Sequence, residues 1–187
     1  MDSTDSNPLC LECGLCCNGV IFADGQLQPA DDAPRLEALG LRLLTHRKSS
    51  ILRSAITEDG QIANQKFQQP CAAFDGCRCR IYGDRPQYCR EFECLTLQRM
   101  KAGRLETAAA LRVIRAARQR ADKVKRLLLQ LGDDDKPTAL SLRFQRMQKR
   151  LESRTTDDET AELFSRLTLA VHDLNLLLSE AFYPGSR

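Results

Sequence analysis

Nine cysteines, all between residues 10 and 94, are the residues whose type and spacing could do chemistry in this chain. Four fall in one octet, Cys10-Leu-Glu-Cys13-Gly-Leu-Cys16-Cys17, and the others are Cys71, Cys77, Cys79, Cys89 and Cys94. Only two histidines, His46 and His172, accompany them, so any metal site here must be dominated by thiolate. Thiolates are soft ligands that suit zinc, cuprous copper and iron–sulfur clusters. C-x-x-C works because one tight turn aims two sulfurs at one centre, and a structural zinc ion takes four ligands. Cys10, Cys13 and Cys16 repeat that spacing, as do the thiolates that wrap a cubane cluster in bacterial ferredoxins. Gly14 frees the loop for a left-handed turn and leaves room against its backbone.

Cys17 constrains the reading further. Neighbouring side chains point apart, so Cys16 and Cys17 are not expected in one small tetrahedral site. One of them faces a second metal or lies outside the first. The thiol count suits two mononuclear sites, or one cluster with thiols to spare. Cys89 and Cys94 would stand about 140° apart on a regular helix. Cys89 is therefore expected to be a ligand and Cys94 to be peripheral. Arg78, Arg80, Arg85 and Arg90 lie within a few residues of the cysteines, and their fixed charge offsets the net −2 that four thiolates leave on Zn²⁺. Free buried cysteines and a redox switch with transient disulfides are the competing readings.

The elements that must position these thiols follow from turn chemistry and periodicity. Residues 8–30 read as irregular, with a turn at Asn18-Gly19 and a short strand at Val20-Ile21-Phe22 stopped by Asp24-Gly25. Asp31 or Asp32 caps a short helix with Pro34 in its first turn and Gly40 at its end, burying Leu36, Leu39, Leu43 and Leu44. A strand is expected from Gln61 to Gln69, around Ile62 and Phe67. Asp75-Gly76 predicts a β-hairpin setting Cys71 opposite Cys77 or Cys79. Asp84 and Pro86 open a helix that carries Cys89 and runs to about Met100. A second helix runs from Thr107 to Leu131, with Leu111, Ile114, Ala117, Ala121, Val124, Leu128 and Leu131 on one stripe. A third covers 138–153, with Leu140, Phe144, Met147 and Leu151 on one side. A capping box at Thr156-Asp-Asp-Glu159 opens the last, to about Phe182, with Leu163, Leu167, Ala170, Leu174, Leu177 and Leu178 on its apolar face.

The expected fold class is mostly α with minor β. Residues 1–94 form an irregular, metal-stapled cysteine module with a short β-hairpin, and residues 95–187 form helices packing on it. The core must come from Leu, Ala and Ile, since aromatics are 5% of the chain and Trp is absent. No apolar run approaches the roughly 20 residues of a membrane span. The opening MDSTDSNP has neither the basic start nor the apolar middle of a secretory signal. Together with clustered cysteines this leads us to expect a cytoplasmic protein that uses them for metal or redox chemistry, not disulfides.

Three motifs, CLECGLCC at 10–17, PCAAFDGCRCRIY at 70–82 and RPQYCREF at 85–92, occur in the order that resembles the YkgJ-like cysteine-cluster family, a zinc- or iron-chelating domain with a CxxCxxCC pattern. The resemblance covers about the first half of the chain. It implies that Cys10, Cys13, Cys16, Cys17, Cys71, Cys79 and Cys89 bind the metal, with Cys77 and Cys94 outside the recurrent set. The bound group it implies is zinc or an iron–sulfur cluster. Flagellin lysine methylases carry a similar cysteine pattern, which implies as an alternative an iron–sulfur protein methyltransferase using S-adenosylmethionine. The residues themselves supply no glycine-rich nucleotide loop and no paired carboxylates or Ser–His–Asp set for such a reaction. A third reading is a nucleic-acid or protein adaptor, because Arg99–Arg150 carries 15 Lys/Arg against 5 Asp/Glu. Its competitor is a solvated face of an amphipathic helix. His172 is expected to be a partly buried polar residue, and His46 is a candidate fourth ligand.

Overall fold

Apolar side chains repeating every three to four positions draw one stripe of a helix out of water. In the computed structural model, which describes residues 8–44, 65–76, 78–153 and 157–185, the long central stretch is such a helix. The elements in chain order are α1 (Pro8–Cys13), β1 (Asp24–Gln26), α2 (Ala33–Ala38), β2 (Leu43–Leu44), β3 (Lys66–Gln68), α3 (Gln87–Glu91), α4 (Leu95–Lys101), α5 (Thr107–Gln130), α6 (Leu140–Glu152) and α7 (Asp158–Ala181). A 3₁₀ turn at Tyr82–Asp84 precedes α3. The fold is mostly α with minor β, as the patterning predicts.

The predicted stripe of α5 is buried from Ile114 to Leu131, with Leu111 half-buried at its start. It meets Leu167, Ala170, Leu174 and Leu178 of α7 in the larger of two cores. Ala110, Ala117, Ala121 and Ala170 are buried in this core and add little bulk beside the two 24-residue helices. Met147 of α6 joins the same core, and the rings of Phe144 and Phe164 stack beside it at 6.3 Å. Arg143 is the buried residue of α6 that periodicity does not forecast. Its side chain is 7% exposed and meets Asp133, which is 11% exposed.

The N-terminal segment belongs to this core as well. Leu9, Leu15, Val20 and Ile21 pack into it with the helices. The predicted strand at 20–22 is instead a bend. Ile21 donates its N–H to the Leu15 carbonyl (3.2 Å) and Val20 donates to Asn18 Oδ1 (3.2 Å), so these donors are satisfied locally, not across a ladder. The strand begins two residues later and includes Asp24-Gly25, the pair expected to stop it.

The smaller core is Leu27, Leu36, Leu41, Phe67, Ala73 and Ile81. It lies under a three-stranded antiparallel sheet in the order β1-β3-β2, with Phe67 paired to both Gly25 and Leu43. Only glycine fits at position 25, because a Cβ there would stand 2.1 Å from the tip of the Phe67 ring. α2 starts as predicted, with Asp32 accepting from the Arg35 N–H (3.0 Å), and Gly40 follows it at φ +96°. Leu41, not Leu39 or Leu44, is the residue buried at its exit. Residues 61–64 of the predicted strand lie outside the described residues.

Two further expectations change. The hairpin at Asp75-Gly76 is reduced to a single bridge between Phe74 and Cys79, with Arg80 donating to the Ala73 carbonyl (2.8 Å). Cys71 stands before the bridge, not across it. The helix expected from Asp84 to Met100 is broken. Phe92 turns extended after α3, and α4 restarts with Cys94 as its N-cap. Tertiary contacts favour the break: the Phe92 ring meets Phe22 at 4.8 Å, and the buried Thr96 hydroxyl donates to the Ala181 carbonyl at 2.7 Å. At the last helix the observed cap is Asp157, which accepts from the Thr160 N–H at 2.7 Å. Thr156, predicted for that role, lies outside the described residues.

Candidate metal centre

The octet that opens the cysteine pattern spans two elements. Cys10 and Cys13 lie on α1, and Gly14 at φ +62° reverses the chain into the turn that holds Cys16 and Cys17. A Cβ on Gly14 would reach the Phe74 ring at 2.6 Å, so this glycine lets the octet lie against the 71–79 turn. The Cys17 carbonyl accepts from the Cys71 N–H at 2.8 Å, joining the same two segments. Asp31 positions the next one. It accepts from the Gln28 N–H (2.9 Å) and the Gln87 N–H (2.8 Å), anchoring the start of the helix that carries Cys89. Asp84, expected near that cap, pairs with Arg35 instead.

The octet and the bend after it are tied equally to the helices behind them. Arg118 of α5 donates to the carbonyls of Glu12 and Cys13. The Gly19 carbonyl accepts from the Leu140 N–H at the start of α6 (2.9 Å). Beyond the end of α7, Tyr183 donates its hydroxyl to the Ile21 carbonyl (3.1 Å).

All seven cysteines singled out by the sequence pattern, Cys10, Cys13, Cys16, Cys17, Cys71, Cys79 and Cys89, line one cavity of about 100 Å³. Cys94 lines it too. Its expected peripheral place depended on an unbroken helix, and the break at 92–94 turns it inward. Cys77 and His46 lie outside the described residues. His172 is exposed on α7, not partly buried as expected. Tyr82 and Phe92 line the cavity, as do Phe22, Phe74 and Tyr88.

The thiols fall into two neighbourhoods. Cys10, Cys13, Cys16 and Cys94 pack against the larger core, whereas Cys71, Cys79 and Cys89 pack against the smaller one. Cys17 adjoins the second set through its backbone bond to Cys71.

All eight described cysteines are free thiols. Burial raises the pKa of each, because a thiolate loses its hydration there. Cys10 is pushed from 9.0 to about 11, and Cys13 and Cys89 from 9.0 to about 12. Cys16, Cys17, Cys71, Cys79 and Cys94 are raised by the same cause. Positive side chains oppose the shift: Arg85 at Cys10, Cys79 and Cys89, Arg80 at Cys71 and Cys79, Lys101 at Cys10 and Arg118 at Cys13. Arg80 and Arg85 were candidates from their spacing. Arg118 and Lys101 were not, since only the folded helices bring them near. Arg85 also stacks 3.5 Å over the Tyr82 ring.

Among the described residues, no three His, Cys, Asp or Glu side chains already stand at the mutual spacing of a bound ion. Ligation of an ion by these thiols would therefore require them to turn and to give up their protons. Their chemistry still suits a thiolate-bound metal: eight soft donors, fixed guanidinium charge and a wall of aromatic rings.

Much of the basic run at 99–150 is engaged within the chain. Arg120 pairs with Asp173, Lys125 with Asp122, Arg143 with Asp133 and Arg146 with Asp135. Arg112, Arg115, Lys123 and Arg126 of α5 are exposed. No described helix is long and apolar enough to cross a membrane.

A family model described as "CxxCxxCC: Putative zinc- or iron-chelating domain" matches residues 9–110. Neither a curated protein nor a solved structure matches the chain.

Proposed function

Since the chain belongs to the CxxCxxCC family, we propose that it chelates zinc or iron, the latter as an iron–sulfur cluster, through Cys10, Cys13, Cys16, Cys17, Cys71, Cys79 and Cys89. The observation that carries this reading is the convergence of all seven on one cavity from three separate stretches of chain. The bound group would supply crosslinks among those stretches. The chain's own residues hold it and compensate its charge. Each ligating thiol would give up its proton, because the thiolate is the form that binds metal. Arg85, Arg80, Arg118 and Lys101 then face the anionic sulfurs. Phe22, Phe74, Tyr88 and Phe92 keep water from them.

The role is structural in the first place. The smaller core holds six buried hydrophobic residues, of which Phe67 is the one aromatic, so ligation contributes much of the stability of the segment around it. Cysteines clustered for metal binding and not for disulfides suit a reducing compartment, which supports a cytoplasmic location. The test is anaerobic purification followed by elemental analysis and a visible absorption spectrum. We expect zinc or iron in stoichiometric amount, and its loss in Cys13→Ser. A chain that stays metal-free after anaerobic exposure to both metals overturns the reading.

A further inference from the structure

We infer that the eight described cysteines form two separate four-thiolate centres, divided at the Cys16–Cys17 peptide. Cys10, Cys13, Cys16 and Cys94 make one; Cys17, Cys71, Cys79 and Cys89 make the other. This rests on the metal-chelating reading above and adds a ligand, Cys94, to the seven that the resemblance implies.

Packing divides the thiols in this way. The first four contact the larger core, and Cys71, Cys79 and Cys89 contact the smaller. Cys17 is bonded through its backbone to Cys71. Charge on Cys79, Cys71 or Cys89 would bear on Cys17 more than charge on Cys13. Cys10, Cys13 and Cys16 each interact with Cys94. Across the divide, charge on Cys17 bears on Cys16, and charge on Cys13 bears on Cys17.

Ligand number points the same way. A tetrahedral zinc ion and a cubane cluster each take four thiolates. The seven pattern cysteines split into three and four, and Cys94 completes the three. The break between α3 and α4 makes that possible, since it separates Cys94 from the face that carries Cys89. Two such centres also concentrate negative charge. Arg85 acts on thiols of both sets, Lys101 and Arg118 on the first, and Arg80 on the second.

The experiment is anaerobic titration of the reduced, metal-free full chain with Co²⁺ alone, read by sulfur-to-cobalt charge transfer and the tetrahedral d–d bands. Two equivalents are expected. Cys94→Ala and Cys89→Ala should each reduce this to one. The inference is overturned if the unsubstituted chain takes one equivalent, or if Cys94→Ala keeps two tetrathiolate centres. It is also overturned if Cys94→Ala loses both while its far-ultraviolet circular dichroism is unchanged, which would mean one shared cluster. Binding of no cobalt overturns the chelating reading instead. Should the variants fail to fold, alkylation of the cobalt-loaded unsubstituted chain decides. Cys94 should be protected together with Cys10, Cys13 and Cys16, and its free reaction while those three are protected overturns the inference.

Discussion

Replacing Gly14 by alanine tests how the octet is seated on the rest of the site. Gly14 sits at φ +62°, and a Cβ there would meet the Phe74 ring at 2.6 and 2.9 Å. Two penalties follow. The left-handed backbone costs a non-glycine residue about 1–2 kcal/mol. The overlap costs about 1–2 kcal/mol more, at the lower part of the range for overpacking, because the Phe74 ring is half-buried and can tilt. Gly14→Ala should therefore lose about 2–4 kcal/mol. Gly103 separates the two penalties, since it has φ +67° and nothing within 4 Å of its Cβ position. Gly103→Ala should lose about 1–2 kcal/mol, the backbone part alone. Phe74→Ala removes the obstructing ring, so in a double-mutant cycle with Gly14→Ala the coupling should be about 1–2 kcal/mol. The assay is urea denaturation of the metal-free chain, comparing midpoints at constant slope. Coupling below about 0.5 kcal/mol would refute the contact, because independent sites add within that margin.

Three other outcomes follow from the packing and the buried thiols. Gly25→Ala meets the Phe67 ring at 2.1 Å where that ring is buried and cannot tilt, so it should cost about 3 kcal/mol in the same assay. Arg143→Met leaves Asp133 buried without its cation and should cost about 3 kcal/mol by thermal denaturation, part of it recovered by adding Asp133→Asn. The pH dependence has a definite sign. Thiols raised by folding ionise first in the unfolded chain, so their contribution to the stability of the metal-free fold is intact below pH 9 and is lost as pH rises toward about 11 at Cys10 and about 12 at Cys13 and Cys89. Urea midpoints at about pH 7.5 and pH 10 with a chelator present check this, and an unchanged or higher midpoint at the upper pH contradicts it.

The helices were legible because their signals are local. Asp32, Pro34 and Gly40 bound α2, and the apolar stripe identifies α5 almost to the residue. The resemblance, not spacing alone, grouped the seven pattern cysteines, and all seven line one cavity. Their arrangement within it was not legible. The break at Phe92–Cys94 depends on Phe22 and Ala181, which lie far away in sequence, and local helix propensity argues against it. The bend at Val20-Ile21 looks like a strand because both residues are β-branched, and their burial comes from helices much further along the chain. Arg118 illustrates the same limit. Arg112, Arg115 and Arg126 of the same helix face solvent, and only the carbonyls of α1 reveal the place of Arg118.

Phe182 lines the cysteine cavity, and its carbonyl accepts from the Leu95 N–H at the start of α4. This places the last wall of the cavity far down the chain from the thiols it covers. During synthesis at about 5–20 residues/s, roughly 90 residues separate the emergence of Cys94 from that of Phe182, an interval of about 4–18 s. Throughout that interval the thiols are made but their cover is not. Any metal or oxidant that met the chain in that interval would find thiols that Phe182 does not yet cover.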